Sequence, residues 1–280
     1  MLNYNGNLVA FDDVKITPNN RAFKYGDSVF ESIKIINNNI IFWEDHYMRL
    51  MSSMRIIRIE IPQTYTPNFF KLQILSTISK IDSVFTGRVR LTIFRNGAGY
   101  YTPNSMSPSF IINCSAIGSE NFEVNESEFK VDLFKDYYIQ NDLLSNLKTN
   151  NKLINVLAGI YANENNLDNC ILLNNKKNVA EFLNGNLFIV HENKIKTPNL
   201  SSGCLKGIMR KKIIEYVKIF PQFSLEETEI SPFELLSANE IWLTNSISGI
   251  IPVSTYRNKS LSNYVAKIFI NYLNKKITDF

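Results

Sequence analysis

The order of the chain's apolar patterns most constrains what it can become. Near the N-terminus "SVFESIKII" and "NIIFW" flank an Asn turn, the pattern of a β-hairpin. "EDHYMRLMSSMRII" follows, with Tyr47, Leu50, Met51 and Met54 at helical spacing. A second helix is expected from about Pro67 to Ser79, and then two strands, "GRVRLTIFR" and "SFIINCSAI". The second half opens with a helix from about Asn151 and continues through the strands "NCILLNN", "KNVAEFL" and "GNLFIVHE". A helix over "GIMRKKIIEYVKIF", a strand over "EIWLTNS" and an amphipathic helix over "NYVAKIFINYLNKKI" complete it. Strands and helices do not alternate regularly, which argues against a doubly wound parallel sheet. The pattern predicts α+β segments in two domains. The polar, acidic stretch "GSENFEVNESE" is the expected linker, giving an N-terminal α/β domain over 1–118, a linker over 119–126 and a C-terminal, strand-rich domain over 127–280.

Several function classes fall away on composition. A net charge of +4, without a basic block or stripe, lacks the electrostatic footprint of a nucleic-acid binder. No apolar run approaches the ~20 residues of a membrane span, and "MLNYNGNLVAFDD" is not a signal peptide. The expectation is therefore a cytoplasmic protein without membrane or nucleic-acid partners. Cys114, Cys170 and Cys204 are odd in number and unpaired in spacing, as expected of free thiols. His46 and His191 are the only histidines, so a His-rich metal site is not expected and no metal is assigned.

Three separated features carry chemistry. Glu181 lies inside the apolar strand pattern "VAEFL", where a carboxylate costs free energy unless a partner holds it. Lys148 sits just before a predicted helix. Gly207 opens another, whose first N–H groups form an anion site. An amine, a buried acid and a helix N-terminus are what pyridoxal 5'-phosphate requires. The lysine attaches it as a Schiff base, the acid keeps the ring nitrogen protonated, and the helix end meets the phosphate.

Six ordered motifs along nearly the whole chain resemble the class IV aminotransferases, the fold-type IV pyridoxal-phosphate enzymes. They are "FKYGDSVFESIKI", "HYMRLMSSM", "LKTNNKLINVLA", "VAEFLNGNLFIV", "KTPNLSSGCLKGIMR" and "TNSISGIIPV". The resemblance implies the two-domain fold of that family, with the smaller domain N-terminal. It implies Lys148, followed by Asn151, as the Schiff-base residue rather than Lys152. It implies Arg49 on the cofactor phosphate and Glu181 on the pyridine nitrogen. The amides after Gly207, at Ile208 and Met209, would also meet the phosphate, with Ser246 and Ile247 completing its cup. Tyr25 would lie beside cofactor and substrate. The family builds its active site at a subunit interface, so a homodimer acting on a small-molecule amine is expected.

The family includes branched-chain and D-amino-acid aminotransferases and aminodeoxychorismate lyase. Ser32 after "FE", Met209 in "GIMR", Asn245 in "TNS" and the turn "RNGAGYYTP" resemble the lyases. The expected reaction is conversion of 4-amino-4-deoxychorismate to 4-aminobenzoate and pyruvate, in folate biosynthesis. Amino-acid transamination is the alternative. Ser32 and Asn245 are the expected substrate contacts. Ala98 stands where the lyases carry an arginine, so recognition of substrate carboxylates would fall to Arg95, Lys24 or another cation.

Overall fold

The computed structural model describes residues 1–14, 16–124 and 127–278. Residues 125 and 126 of the expected linker, and the last two of the chain, lie outside the described residues. Contacts divide the chain into two compact units. One is Met1–Glu120 with Lys148–Asn151; the other is Asn121–Leu147 with Lys152–Asp279.

The first unit contains β1 (Leu2–Tyr4), β2 (Asn7–Val9), α1 (Arg21–Tyr25), β3 (Ser28–Ile36), β4 (Asn39–Ile40), α2 (Trp43–Ile56), α3 (Pro67–Ile78), β5 (Gly87–Arg95) and β6 (Pro108–Ala116). Its sheet has the order β2-β1-β6-β5-β3-β4, antiparallel at every pairing. The predicted hairpin forms because Asn37 and Asn38 take positive φ, 48° and 65°, which asparagine tolerates better than most residues. One face of the sheet carries Val29, Ile33, Ile35, Val89, Leu91 and Ile93, and they bury against Leu50 and Met54 of α2 and Phe70 and Ile74 of α3. Thr66 caps α3 by accepting from Phe69 N, and Pro67 occupies the first turn, where its missing N–H is no loss.

The second unit contains β7 (Lys130–Ile139), α4 (Leu153–Glu164), β8 (Asn169–Asn174), β9 (Val179–Phe182), β10 (Asn186–His191), β11 (Lys194–Pro198), α5 (Ile208–Val217), β12 (Ser224–Thr228), α6 (Glu234–Ser237), β13 (Glu240–Asn245), β14 (Gly249–Pro252), β15 (Thr255–Tyr256), β16 (Lys259–Ser260) and α7 (Tyr264–Thr278). They form two five-stranded sheets, β12-β11-β10-β13-β14 and β16-β15-β7-β8-β9. β7 pairs in parallel with both β8 and β15, and it was not among the strands predicted from the sequence. Its middle, Lys135–Tyr137, is exposed, so it lacks the period-2 alternation that marks a half-buried strand. Glu240 is fully buried yet satisfied: it accepts from Trp242 Nε1 and from the amides of Val265 and Ala266 in the first turn of α7. A carboxylate at that end of a helix is favoured by its dipole.

Candidate active site

In the first unit, Lys148 lies in an extended segment that adds to the edge of β3. Phe30 N donates to Lys148 O at 2.9 Å, Asn150 N donates to Ser28 O at 3.2 Å, and Val29 bridges Thr149. The lysine is thus held by main-chain pairing before any side-chain contact is made. Gly26 makes this approach possible. Its φ is 62°, and a Cβ there would collide with the Asn151 side chain, whose amide donates to Gly26 O at 3.4 Å. The motifs "YGD" and "KTNN" are therefore packed against each other. Tyr25, next in line, is half-buried between Tyr101 and the cations of Arg21 and Lys24.

Beside the lysine the Phe30 ring carries two cations, Lys148 Nζ at 4.6 Å and the Arg90 guanidinium at 3.6 Å from its centroid. Arg90 Nη2 also donates to Asn150 Oδ1 at 2.8 Å. Strand register places Ser32 opposite Arg90 and Lys34 opposite Arg88, all on the sheet face away from the apolar core. Arg88 Nη2 donates to Ser32 Oγ at 3.3 Å. No carboxylate pairs with either arginine among the described residues, and Arg88 Nε is buried without a hydrogen-bond partner. Burial, and then the neighbouring charge of Arg88, lower the pKa of Arg90.

On the core face of the same strand, Glu31 is 1% exposed. Arg49 from α2 grips it twice, Nε to Oε1 at 2.8 Å and Nη2 to Oε2 at 2.5 Å. His46, one helical turn earlier, donates from Nδ1 to Oε2 at 2.7 Å and is itself wholly buried. Burial works to raise the Glu31 pKa, but the charge and hydrogen bonds of Arg49 and the bond from His46 outweigh it and bring it to about 2. Burial lowers the His46 pKa, against the pull of Glu31. The carboxylate is ionised, the imidazole neutral with its proton on Nδ1. Glu31 and His46 were in the quoted motifs, but the sequence assigned them no role. The signal was present: Glu31 is an acid inside an apolar strand pattern, as Glu181 is.

Arg95 is 6% exposed, and Nε meets Asp27 while the other two nitrogens meet the carbonyls of Arg58 and Ile57. This guanidinium ties the end of β5 to the chain after α2, a use that competes with the substrate contact expected of it. Arg21 joins the same Asp27.

In the second unit, Glu181 is 5% exposed on β9, and its Oε2 accepts from Leu205 N at 2.8 Å. Leu205 O accepts in turn from Asn186 Nδ2 at 2.8 Å. The other end of that amide faces Gly207, where any Cβ would collide with Asn186 Oδ1. Glycine is needed at 207 for this close approach, since its φ of −72° is ordinary. Gly207 is the N-cap of α5 and offers no side-chain cap to its first turn, which begins with Ile208 and Met209. Both of these side chains are buried. Asn245, at the end of β13, accepts from Ile247 N at 3.0 Å and Ser248 N at 2.8 Å and donates to Asn184 O at 3.4 Å. Its amide shapes the loop of Ser246 and Ile247, an Asx turn. That use competes with the substrate contact expected of it.

Each unit by itself carries donor chemistry that suits pyridoxal phosphate: a half-buried amine and an arginine in the first, a buried acid accepting a main-chain hydrogen bond and a helix N-terminus without a side-chain cap in the second. Residues 28–256 match the family described as amino-transferase class IV, and the chain belongs to that family. It is a pyridoxal-phosphate-dependent enzyme. An aminodeoxychorismate lyase of Vibrio harveyi is 27% identical over 84% of this chain and 84% of its own length. A putative branched-chain-amino-acid aminotransferase of Methanocaldococcus jannaschii is 26% identical over 98% of this chain and 94% of its own. A crystal structure of the branched-chain aminotransferase of Thermoproteus uzoniensis superposes with a TM-score of 0.88 at 22% identity, covering 99% of this chain and 93% of that one. Among the described residues, no helix is long and apolar enough to cross a membrane.

Proposed function

We propose that this enzyme is a 4-amino-4-deoxychorismate lyase, a cytoplasmic enzyme of folate biosynthesis. The observation that carries the reading is the pair Arg88 and Arg90, half-buried on one sheet face and without a carboxylate partner among the described residues. Two such cations within one unit destabilise the free protein and suit a substrate that brings two carboxylates, as aminodeoxychorismate does. The arginine missing at Ala98 is thereby replaced from a different strand position.

In this reading Lys148 attaches the cofactor, Glu181 meets its ring nitrogen, and Arg49, the amides of Ile208 and Met209 and the Ser246–Ile247 turn hold its phosphate. The bound cofactor supplies an electron sink for the substrate carbon that bears the amine. The chain's own residues do the rest. Lys148 Nζ, released as a free amine when the substrate amine takes its place, takes the proton from C4 of the substrate. The electron pair left there forms the C3–C4 double bond as the C3–O bond to the pyruvyl group breaks, and the ring becomes aromatic. The released enolpyruvate takes up a proton to become pyruvate. Ser32, Arg88 and Arg90 hold the carboxylates, and Tyr25 borders the substrate.

Amino-acid transamination is the second reading, favoured by the name of the relative that covers 98% of the chain. Incubation with aminodeoxychorismate and, separately, with pairs of amino donors and keto acids separates the two. Pyruvate and 4-aminobenzoate in equal amounts support the lyase; a new amino acid, with no 4-aminobenzoate, refutes it.

A homodimer belongs to the same proposal. Leu153, Val156 and Ile160 form a stripe on α4 that is 71%, 56% and 49% exposed, with Leu143 and Leu144 exposed in the same unit. A second copy of the chain is the occupant proposed for this apolar surface.

A further inference from the structure

We propose that Glu31, locked by His46, is a positioning residue that sets the guanidinium of Arg49 for the cofactor phosphate. The inference rests on the reading that Arg49 meets that phosphate.

The geometry is specific. Glu31 engages Nε and Nη2 of Arg49 in a bidentate pair, which fixes the guanidinium plane. The carboxylate is fixed in turn from the other side, because Oε2 also accepts from His46 Nδ1. All three side chains are buried, with 9%, 2% and 0% of Arg49, Glu31 and His46 exposed. They come from two elements, Glu31 from β3 and the other two from one turn of α2.

Stability alone does not explain this cluster. A buried ion pair is often replaced by apolar residues at no loss, and the surroundings here are Val29, Ile33, Leu50 and Met54. His46 adds a further cost, because its Nε2 is buried without a hydrogen-bond partner. An imidazole kept at that cost for the sake of its Nδ1–H is understandable if the orientation of Glu31, and through it of Arg49, matters to function. A pre-set arginine loses little side-chain entropy when an anion arrives. The arrangement parallels metal sites, where a second partner orients the side chain that holds the ligand.

The test is a mutant cycle on the full-length enzyme, reading the cofactor dissociation constant from its visible absorbance and the thermal midpoint of each variant. Glu31→Gln is expected to weaken cofactor binding by about 10- to 100-fold, the range typical for removing such a partner. Arg49→Lys should weaken it as well. In the Arg49→Lys background, Glu31→Gln should add less than about twofold, because Glu31 acts through Arg49. A purely structural Glu31 would give the same fold-change in both backgrounds, and that result overturns the proposal. His46→Leu should resemble Glu31→Gln, whereas His46→Asn, whose amide replaces the Nδ1–H, should stay near the parent. Equal loss in both His46 variants overturns the part given to Nδ1. Should Glu31→Gln not fold, Glu31→Asp keeps the charge but withdraws it by one methylene, and parental affinity there refutes the positioning. If Arg49→Lys binds cofactor like the parent, the phosphate role of Arg49 fails first. If it weakens binding and Glu31→Gln does not, only the present inference fails.

Discussion

Acid unfolding should report Glu31 directly. Its carboxyl is buried, with a pKa brought from 4.5 to about 2. A group whose pKa is depressed on folding contributes stability that is fully present above its unfolded value and is lost as pH falls through the folded one. The window is therefore from about pH 4.5 down to about 2. Lowering a pKa by one is worth about 1.4 kcal/mol, so the contribution at neutral pH is about 3 kcal/mol. Glu31→Gln removes it and leaves the Arg49 charge without its buried partner. The expected difference in unfolding free energy, parent minus variant, is about 3 kcal/mol at pH 7. It should shrink as pH falls below 4.5, because the parent alone must take up this proton. His46, whose pKa burial lowers, also costs stability as pH falls below about 6.5. It does so more strongly in the variant, where the Glu31 charge that opposes the lowering is gone, so the Glu31 contribution is read from the parent's own loss of stability below pH 4.5. Urea titrations of parent and variant at intervals from pH 7 to pH 3 give the two curves. A difference under 1 kcal/mol at pH 7, or one that does not change with pH, would refute the reasoning.

Other substitutions examine the rest of the site. Gly207→Ala should destabilise the protein by about 2–4 kcal/mol in urea titration, because the new Cβ displaces Asn186 from Leu205 O; a loss under 0.5 kcal/mol means the Asn186 contact yields. Lys148→Ala should abolish turnover and leave no cofactor attached to the chain after borohydride reduction, with the fold unchanged; labelled chain would shift the assignment to Lys152. Asn245→Ala should raise the cofactor dissociation constant about tenfold with little change in substrate KM, since its side chain holds the amides of Ile247 and Ser248. The opposite split would place Asn245 on the substrate. Val156→Asp with Ile160→Asp should lower the molar mass in light scattering from twice that of the chain to that of one chain. A parent that is already a monomer removes the dimer proposal.

The sequence determined most of what depends on neighbours along the chain. Helical spacing was sufficient for α2, α3, α5 and α7, and asparagine at the turn was sufficient for the first hairpin, because local geometry and one-sided burial leave a period in the sequence. Glu181 was legible for the same reason: an acid breaks an apolar strand pattern. Pairing across the chain leaves no such mark. β7 escaped notice because its exposed middle interrupts the alternation. The opposite fates of two arginines on one strand were decided by what folds against them. Arg95 meets Asp27 and two carbonyls from residues 37 and 38 positions away, whereas Arg90 meets an aromatic face, an amide and, among the described residues, no acid. Likewise Glu31 breaks its apolar strand pattern as Glu181 does, but its partners are fixed only when α2 delivers His46 and Arg49 to its two oxygens. Which charge meets an acid and which does not is set by distances of a few ångströms between residues distant in sequence, and only the tertiary structure contains those distances.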